Sequence, residues 1–486
     1  MKIKHYLSCA SILALLFIGC EKKPALDSTS SEARDALTLD SVFLYAQQTY
    51  LWNDLLPSYE EFNPRSFKSP QEEVEKIKSY SLYDKYSFID NGEVSDELGG
   101  VSGDYGFSVN FNGGHPQDLR ISYVYEGSPA DKQSLKRGYQ IVEINGRSDI
   151  DGRNSSFFDF LLDAVFGSKA VINLKVKKFD GSIESVSVNR GKYSIQPVLY
   201  HNIYSCGSKK IGYFVFNSFL QLSGGSGSAA FKSSLDNLFA YFQQQNIKEI
   251  IIDLRYNGGG SVETADYLAD YLAPVGTKGV MHTDIYNKTM QTGRAVILKN
   301  QKFTFEGEQY SYFDFDYSPG SYFTVSKFEK KGTLNLSRIY FLVSSSTASA
   351  SELLINSLKP VMPVKLIGRN TYGKPVGFFP IHIDKYDLYI PQFKTQNRNG
   401  EGDYFNGMLV DKDEWDDVSR EFGDERELYL AYALNYAAKG NFNLPGQATT
   451  SAQRTVARMS AEEADRAGAL LNRTRFKGMI KEEVFK

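Results

Sequence analysis

The chain has 486 residues, a formal net charge of −3, an apolar fraction of 42% and a charged fraction of 23%. These values are typical of a globular protein with two or three domains, and they exclude a general electrostatic attraction to nucleic acid. The 32 Tyr and 33 Phe residues favour a β-rich protein with broad amphipathic surfaces.

The first twenty residues have the pattern of an export signal. A basic start precedes an apolar run from Leu7 to Ile18, which is too short to span a bilayer. The run ends in a way that resembles a lipoprotein signal, with Phe17 at a place where Leu is usual. Cys20 is therefore expected to carry the lipid of an exported, cell-envelope protein facing the periplasm or the cell surface. The alternative is a plain secretory signal with an incidental cysteine.

Cysteine use agrees with an exported protein that has no disulfide framework. Cys9 lies in the segment that would be removed, and Cys20 would be lipidated. Only Cys206 remains, and it is predicted to lie in a turn before a strand, which argues against a catalytic role. The lipid at the N-terminus is thus the only membrane contact that the sequence predicts.

Changes in pattern divide the chain into six segments. They are a signal at 1–20, a polar tether at 21–35, a helical region at 36–97, a β-rich domain at 98–190, a core at 191–445 and a loosely held tail at 446–486. Within the core, a Tyr- and Phe-rich stretch at 276–335 breaks the alternation and is interpreted as an insertion or cap. Within the helical region, apolar spacing predicts one helix around Leu37–Trp52 and a second around Gln71–Tyr80.

The segment 98–190 alternates polar and apolar residues between glycine turns, which predicts a small β-barrel. Its strands are expected near Tyr105–Val109, Ile121–Tyr125, Gln140–Ile144, Val171–Val176 and Ile183–Val188. Between them stand Gly-Ser-Pro-Ala at 127–130 and Arg-Gly-x-x-Ile-x-x-Ile-Asn-Gly at 137–146, a combination that resembles the PDZ domains of bacterial proteases.

The resemblance implies a peptide-binding role for this domain. In PDZ domains a loop of backbone N–H groups holds the terminal carboxylate of a peptide, which adds a strand to an open sheet edge. The corresponding loop runs from Gly103 through Tyr105 and Gly106 to Phe107. The alternative is a structural barrel without a ligand.

Four continuous apolar runs predict strands buried on both faces, as in α/β proteins. These strands are Ile211–Phe216, Ile250–Leu254, Ile339–Val343 and Val364–Ile367. Helices are predicted between them at Ala230–Gln245, Glu263–Leu272 and Ser351–Lys359. The fold class is therefore α/β in a multidomain chain.

A candidate nucleophile stands where one of these strands passes into a helix. Ser349 lies in the segment 344–354 and would gain the positive end of the helix dipole and unpaired backbone N–H groups. Such N–H groups can also stabilise an oxyanion. The alternative is a capping box formed by Ser349 and Glu352.

A nucleophilic serine needs a base, and the histidines offer no acid–base signature. Those outside the signal are His115, His201, His282 and His382. Lysine can replace histidine when burial allows its ammonium group to lose a proton. Lys374 follows the strand at 364–368, at an edge where loops over a parallel sheet carry function. The alternative is a solvated loop lysine.

A glycine loop runs from Asp253 to Gly260, between a buried strand and a helix. Its glycines let the backbone approach a ligand closely with N–H groups exposed. A phosphate-binding or purely structural loop is the alternative, although no Gly-Lys-Ser/Thr follows.

The order Asp-Leu-Arg-x-Asn-x-Gly-Gly, Thr-Ala-Ser-Ala-Ser-Glu and Thr-x-Gly-Lys, after a PDZ-like domain, resembles the C-terminal processing (tail-specific) serine peptidases. The resemblance implies that Ser349 is the nucleophile and that Lys374, 25 residues later, is its base. The N–H groups of Ala350 and of Gly259 or Gly260 would form the oxyanion hole. The implied fold is a ClpP/crotonase-like core with a PDZ insert and N-terminal helices.

The implied activity is hydrolysis of peptide bonds in exported or envelope polypeptides, without a metal or other cofactor. One position departs from the family, because Phe378 stands where many members have a Gln that orients the lysine. A non-catalytic exported binding protein and a sugar- or polymer-binding lipoprotein are the alternatives. A crotonase-type acyl-CoA enzyme would share the core fold, but the signal and the PDZ-like domain argue against it.

Overall fold

The structure is a computed structural model that describes residues 31–207, 209–223, 227–305, 307–444, 458–471 and 478–481. The predicted signal peptide and Cys20 lie outside these residues, as does most of the predicted tether at 21–35. The last five residues of that tether already belong to the first helix, which begins at Ser31.

The α-helices of the described residues are α1 (Ser31–Thr49), α2 (Tyr59–Phe62), α3 (Pro70–Lys78), α4 (Glu93–Leu98), α5 (Pro129–Lys132), α6 (Ser155–Phe166), α7 (Ser228–Gln244), α8 (Val262–Leu272), α9 (Lys288–Gln291), α10 (Ala350–Leu358), α11 (Leu428–Lys439) and α12 (Ala461–Leu471). None of these helices is long and apolar enough to cross a membrane.

The strands are β1 (Phe88–Asp90), β2 (Val101–Ser102), β3 (Phe107–Phe111), β4 (Leu119–Val124), β5 (Gln140–Ile144), β6 (Val171–Lys177), β7 (Ile183–Asn189), β8 (Tyr193–Ser194), β9 (Val198–Cys206), β10 (Lys209–Phe216), β11 (Glu249–Asp253), β12 (Gly260–Ser261), β13 (Val280–Tyr286), β14 (Lys302–Phe305), β15 (Glu308–Ser311), β16 (Val325–Lys327), β17 (Arg338–Val343), β18 (Val364–Gly368), β19 (Val376–Gly377), β20 (Ile381–Ile383), β21 (Tyr386–Tyr389), β22 (Phe393–Asn397), β23 (Lys412–Asp413) and β24 (Met479–Ile480).

The centre of the molecule is a six-stranded sheet in the order β23-β18-β17-β11-β10-β9. All neighbouring strands in it are parallel except β9, which is antiparallel to β10. Each of the four apolar runs in the sequence forms one of its inner strands. The α/β prediction is therefore confirmed.

Both faces of this sheet are covered, which explains why its strands are apolar throughout. Ile250 and Ile252 face the large core that α7, α8 and α10 close. Ile251, between them, faces the opposite layer, where Leu430 and Ala433 of α11 pack. The strand alternation thus buries every second residue on each side.

Residues 101–194 form a separate unit, here called the small-sheet domain. Its antiparallel sheet has the order β3-β4-β5-β6-β7, and β3 and β7 at the two ends are not paired with each other in the described part of the chain. All five predicted strands are present. Helix α6 covers one face, and its residues Phe157 and Leu161 are fully buried in the domain core.

The stretch 276–335 takes part in the core rather than standing apart from it. Strand β13 lies in the middle of a four-stranded antiparallel sheet with the order β16-β13-β22-β19. Because β19 begins two residues after Lys374, this sheet supports the segment that carries the candidate base.

The described parts of the tail are packed, in contrast to the prediction that 446–486 is loosely held. Ala467 and Leu471 of α12 join the core of the small-sheet domain, next to β3. Strand β24 pairs in parallel with β12 of the glycine loop. Nothing in the local sequence predicts these contacts, because both depend on partners more than 200 residues away.

Candidate active site

Three loops meet where β11, β17 and β18 end, at the carboxyl edge of the six-stranded sheet. They carry the glycine loop, Ser349 and Lys374 respectively. In parallel sheets this edge is where ligands bind, because the loops that leave neighbouring strands converge there. The structure thus brings together the three motifs that the sequence analysis selected.

Ser349 lies in a strained turn directly before α10. Its backbone angles are φ 63° and ψ −112°, a region that non-glycine residues rarely occupy. The side chain is fully buried, and its Oγ makes no hydrogen bond to any described residue. A buried, unpaired hydroxyl at a helix N-terminus is able to act as a nucleophile when a base takes its proton.

Lys374 is buried, with 1% of its surface exposed. Its Nζ lies over the ring of Phe378 at 3.8 Å from the centroid and 5.5 Å from the centroid of Tyr86. Phe378, which replaces the expected Gln, therefore contacts the lysine through the face of its ring. The Tyr86 hydroxyl donates to the carbonyl of Gly373, so the N-terminal region also supports this loop.

The carboxylate of Glu352 joins the two candidate catalytic residues. Its Oε2 accepts the backbone N–H of Ser349 and that of Lys374, each at 2.8 Å. Its Oε1 accepts the hydroxyl of Thr371 at 2.5 Å and the N–H of Gly373 at 2.8 Å. The bond from the Ser349 N–H to Glu352 is one half of the capping box that the sequence alternative proposed, while Ser349 Oγ stays unpaired and the same carboxylate also fixes the lysine loop.

Burial at this site raises the pKa values of both Glu352 and Tyr86. Burial raises the pKa of Glu352, although the hydrogen bonds from Thr371, Lys374, Ser349 and Gly373 oppose that effect. Burial, together with the charge of Glu352, also raises the pKa of Tyr86.

The glycine loop is tied to the serine turn through Asn257. The Asn257 carbonyl accepts the N–H of Ala348 at 3.1 Å, and its Oδ1 accepts the N–H of Gly259 at 2.8 Å. Gly259 has φ 106°, and a Cβ there would lie 2.9 Å from the nitrogen of Ala350. Only glycine fits a backbone that approaches the start of α10 so closely.

The predicted oxyanion donors differ in what they bind. The N–H of Gly259 is engaged by Asn257, whereas the N–H of Gly260 donates to the carbonyl of Gly478 in the tail at 2.6 Å. Ala350 is the first residue of α10, where backbone N–H groups have no partner within the helix. Of the two glycines, Gly260 is therefore the one that faces a peptide carbonyl.

A buried ion network anchors the start of the glycine loop. Arg255 is fully buried and contacts Asp253 at 2.8 Å, Asp416 at 2.8 Å and Glu427 at 2.7 Å. Arg137 of the small-sheet domain reaches the same Asp416 and donates to the Tyr256 hydroxyl at 2.7 Å. The Arg-Gly motif of that domain thus also serves as a contact to the core.

The loop predicted to bind a peptide carboxylate is only partly open. Gly103 lines a cleft that Arg190 and Lys192 also border, together with several acidic residues. Tyr105 and Phe107 are buried, and the Gly106 N–H donates to Asp104 Oδ1 at 2.7 Å. The structure therefore places Gly103 in the cleft and the other three residues in the domain interior.

The histidines and Cys206 lie elsewhere. In the described residues no histidine hydrogen bonds to Ser349, and no group of His, Cys, Asp or Glu could hold a metal ion. Cys206 is the last residue of β9 rather than part of a turn, and it lies at the sheet edge opposite the site. Burial raises the pKa of its thiol.

Comparison with known proteins finds similarity to peptidases over the part of the chain that carries these loops. Residues 210–411 match the model of peptidase family S41. The carboxyl-terminal-processing protease of Picosynechococcus sp. is 26% identical over 283 residues, which are 58% of this chain and 55% of that protein. The chloroplastic carboxyl-terminal-processing peptidase 1 of Arabidopsis thaliana is 27% identical over 323 residues, 64% of this chain and 56% of that protein. The chain thus spans just over half the length of these two relatives.

A solved structure shares the fold over most of the chain. The crystal structure of a protein described as an S41 protease from Bacteroides fragilis NCTC 9343 matches with a TM-score of 0.56 and 24% identity. The match covers 82% of this chain and 96% of that one. The similarity to peptidase family S41 lies within residues 210–411, and the curated relatives that the chain matches are named as carboxyl-terminal-processing peptidases.

Proposed function

We propose that the protein is a serine endopeptidase of the C-terminal processing type that acts through Ser349 and Lys374. The observation that carries the proposal is the buried, unpaired Oγ of Ser349 in a strained turn, with its main chain and that of Lys374 on one carboxylate of Glu352. A hydroxyl held in this way is able to attack a carbonyl, and Glu352 keeps the lysine loop beside it.

The mechanism is acyl transfer. Lys374 takes the proton of Ser349, whose Oγ attacks the carbonyl carbon of the scissile peptide bond. The N–H groups of Gly260 and Ala350 stabilise the tetrahedral oxyanion. The C–N bond breaks and the leaving amine takes the proton from Lys374. Water then hydrolyses the ester between Ser349 and the acyl group.

Substrate recruitment is assigned to the small-sheet domain, as a PDZ domain. Its strand order, with β3 at an edge, suits addition of a peptide strand, and Gly103 with Arg190 and Lys192 suits a terminal carboxylate. The substrates are polypeptides exported to the cell envelope, where the lipid on Cys20 would hold the enzyme.

The test compares four variants on an unfolded protein with an apolar C-terminus, with fragments followed by mass spectrometry. Ser349→Ala and Lys374→Ala are expected to lower kcat by about 10⁴-fold or more. Ser357→Ala is the matched serine control, because Ser357 also lies buried on α10 with an unpaired Oγ. Lys385→Ala is the lysine control, since Lys385 also lies over an aromatic ring.

Cleavage by the parent and both controls, but not by the two site variants, supports the proposal. Equal cleavage by Ser349→Ala and the parent contradicts it. Binding of the unfolded protein without cleavage by the parent favours the non-catalytic binding protein instead.

A further inference from the structure

The residues Gly478 to Lys481 lie as an extended strand across the candidate active site. The Gly478 carbonyl accepts the N–H of Gly260 at 2.6 Å, on one side of the strand. On the other side, the N–H of Phe378 donates to Met479 at 2.8 Å and the N–H of Lys481 donates to Phe378 at 2.9 Å. Both edges of the strand are thus paired, which is how an extended peptide binds between two sheet edges.

The side chains of this strand fill defined places. Met479 is fully buried in the large core, and Ile480, 2% exposed, packs with Phe378 and Tyr389. Successive side chains of a strand point to opposite faces, so the two residues occupy separate apolar sites. Gly478 places no side chain at the glycine loop. The approach is close, because a Cβ added to Gly259 would lie 2.4 Å from the carbonyl oxygen of Gly478.

The side chain of Lys481, at the end of the strand, lies in a site that suits a cation. Its Nζ donates to Asp284 Oδ2 at 2.6 Å and to the Phe323 carbonyl at 2.5 Å, and it lies 4.2 Å from the centroid of the Phe323 ring. Asp284 has 1% of its side chain exposed and also contacts His282. A buried carboxylate of this kind favours a positively charged partner strongly.

The helix that precedes the strand is fixed to the serine turn. Ser345 Oγ donates to the Asp465 carbonyl and Ser346 Oγ donates to the Gly468 carbonyl, both at 3.1 Å. Arg369 pairs with the Asp465 carboxylate at 2.8 Å. Helix α12 is therefore held against the loop that carries Ser349 and, through Arg369, against the loop that carries Lys374.

We propose that the groove between β12 and Phe378 binds extended peptides of the class small–apolar–apolar–basic, and that residues 478–481 of the chain are its resident ligand. Asp284 is then the residue that selects the basic side chain. The assignment rests on the proposed function, because it identifies this groove as the place where a substrate strand meets Ser349.

The resident strand excludes a second peptide. It uses the N–H of Gly260 and both edges of the groove, so a substrate gains these groups only after the tail has left. The apparent affinity for a substrate is then reduced by the fraction of molecules whose groove is open.

The test measures binding in Ser349→Ala protein, so that cleavage does not enter. The probe is a fluorescent peptide with the sequence of residues 478–486, followed by anisotropy. A chain that ends at Lys477 is expected to bind it at least about tenfold more tightly than the full chain. A matched peptide with Lys481→Glu should bind the shortened chain at least about tenfold more weakly than the probe, and Asp284→Asn should remove that preference.

Equal binding by the full and shortened chains, or no preference between the two peptides, overturns the proposal. Should the shortened chain not fold, Lys481→Glu in the full chain is the second variant. Hydrogen exchange at 478–481 should then speed up at least about tenfold and the probe should bind, whereas unchanged exchange overturns the proposal. Peptide selectivity without cleavage by the parent would contradict the proposed function alone, and cleavage without peptide selectivity would contradict only this assignment.

Discussion

Ser349 combines two features that cost stability. Its left-handed φ of 63° is a strained conformation, worth about 1–3 kcal/mol for a non-glycine residue. Its buried Oγ lacks a hydrogen bond in the described residues, which costs a similar amount. Neither feature has a structural benefit for the helix, so both are expected of a residue retained for chemistry.

Replacing Ser349 by glycine should therefore stabilise the protein while it abolishes activity. Glycine adopts the positive φ without strain and removes the unpaired hydroxyl. We expect the free energy of unfolding of Ser349→Gly to rise by about 1–3 kcal/mol, measured by denaturant unfolding. The control is Ser357→Gly, which removes a buried hydroxyl within α10 and should destabilise because glycine weakens a helix interior. A less stable Ser349→Gly protein would contradict the interpretation.

The role of Glu352 is positioning, because it touches the backbones of both candidate catalytic residues. In Glu352→Gln one acceptor oxygen becomes an NH₂ group that faces donors. We expect kcat to fall by about 10²-fold with a smaller change in KM, since the lysine loop moves relative to Ser349. Steady-state kinetics on an unfolded protein substrate provide the measurement.

The matched control for this change is Glu249→Gln. Glu249 is also buried and hydrogen bonded, to Lys209 and the Tyr340 hydroxyl, but it stands at the opposite end of β11. The Glu249→Gln variant should be less stable than the parent and should keep its kcat. An equal loss of kcat in both variants would show that Glu352 acts only on the stability of the fold.

At the scale of elements, the sequence predicted the inner strands of the large sheet well because burial on both faces leaves a continuous apolar run. The strand predicted at Ile339–Val343 is found at Arg338–Val343, and the helix predicted at Ser351–Lys359 is found at Ala350–Leu358. The Ser and Lys motifs each follow such a strand, and they were recognised because their order and 25-residue spacing resemble those of the C-terminal processing peptidases.

Elements whose pairing depends on distant partners were not predictable in the same way. Strand β13 lies in the Tyr- and Phe-rich stretch and owes its place to β22, more than 100 residues later. Strand β24 has two residues, and nothing local distinguishes Met479 and Ile480 from other apolar residues. The part of Glu352 in holding Lys374 was missed for the same reason, although its capping-box position was visible.

Helix α3 carries a buried carboxyl group that links its packing to pH. Glu73 is fully buried against α1, and both of its oxygens lack hydrogen-bond partners in the described residues. Burial, with a contribution from Asp40, raises the pKa of Glu73 to about 9. The folded protein therefore keeps a proton that the unfolded chain loses near its ordinary pKa of about 4.3.

Stability should consequently fall as pH rises from about 5 to 9, by up to about 1.4 kcal/mol per pH unit from this group. Glu73→Gln removes the titrating proton, so its thermal stability should match that of the parent near pH 5 and exceed it increasingly toward pH 9. The control is Glu75→Gln, an exposed position on the same helix. Parallel curves for Glu73→Gln and the parent would contradict the burial argument.

At the scale of the whole molecule, two connections join the small-sheet domain to the active-site loops. Arg137 inserts into the core at Asp416, which also binds Arg255 at the start of the glycine loop. The C-terminal helix α12 packs against the same domain and against the serine turn. The small-sheet domain thus contacts the glycine loop through one buried ion network and the serine turn through α12.

If the tail is a resident ligand, removing it should activate an enzyme that it also stabilises. A chain with Ser349 intact that ends at Lys477 loses the burial of Met479 and Ile480, each worth about 1.5–3 kcal/mol, so its thermal stability should fall. Its kcat/KM for an unfolded protein should nevertheless rise by about tenfold or more, because every molecule then has an open groove. A chain that ends at Lys481 keeps the strand and should behave as the parent, which separates loss of the strand from loss of the last five residues. Were the shorter chain folded yet no faster than this control, β24 would be a structural strand of the site, and a substrate would have to bind along a different edge of the glycine loop.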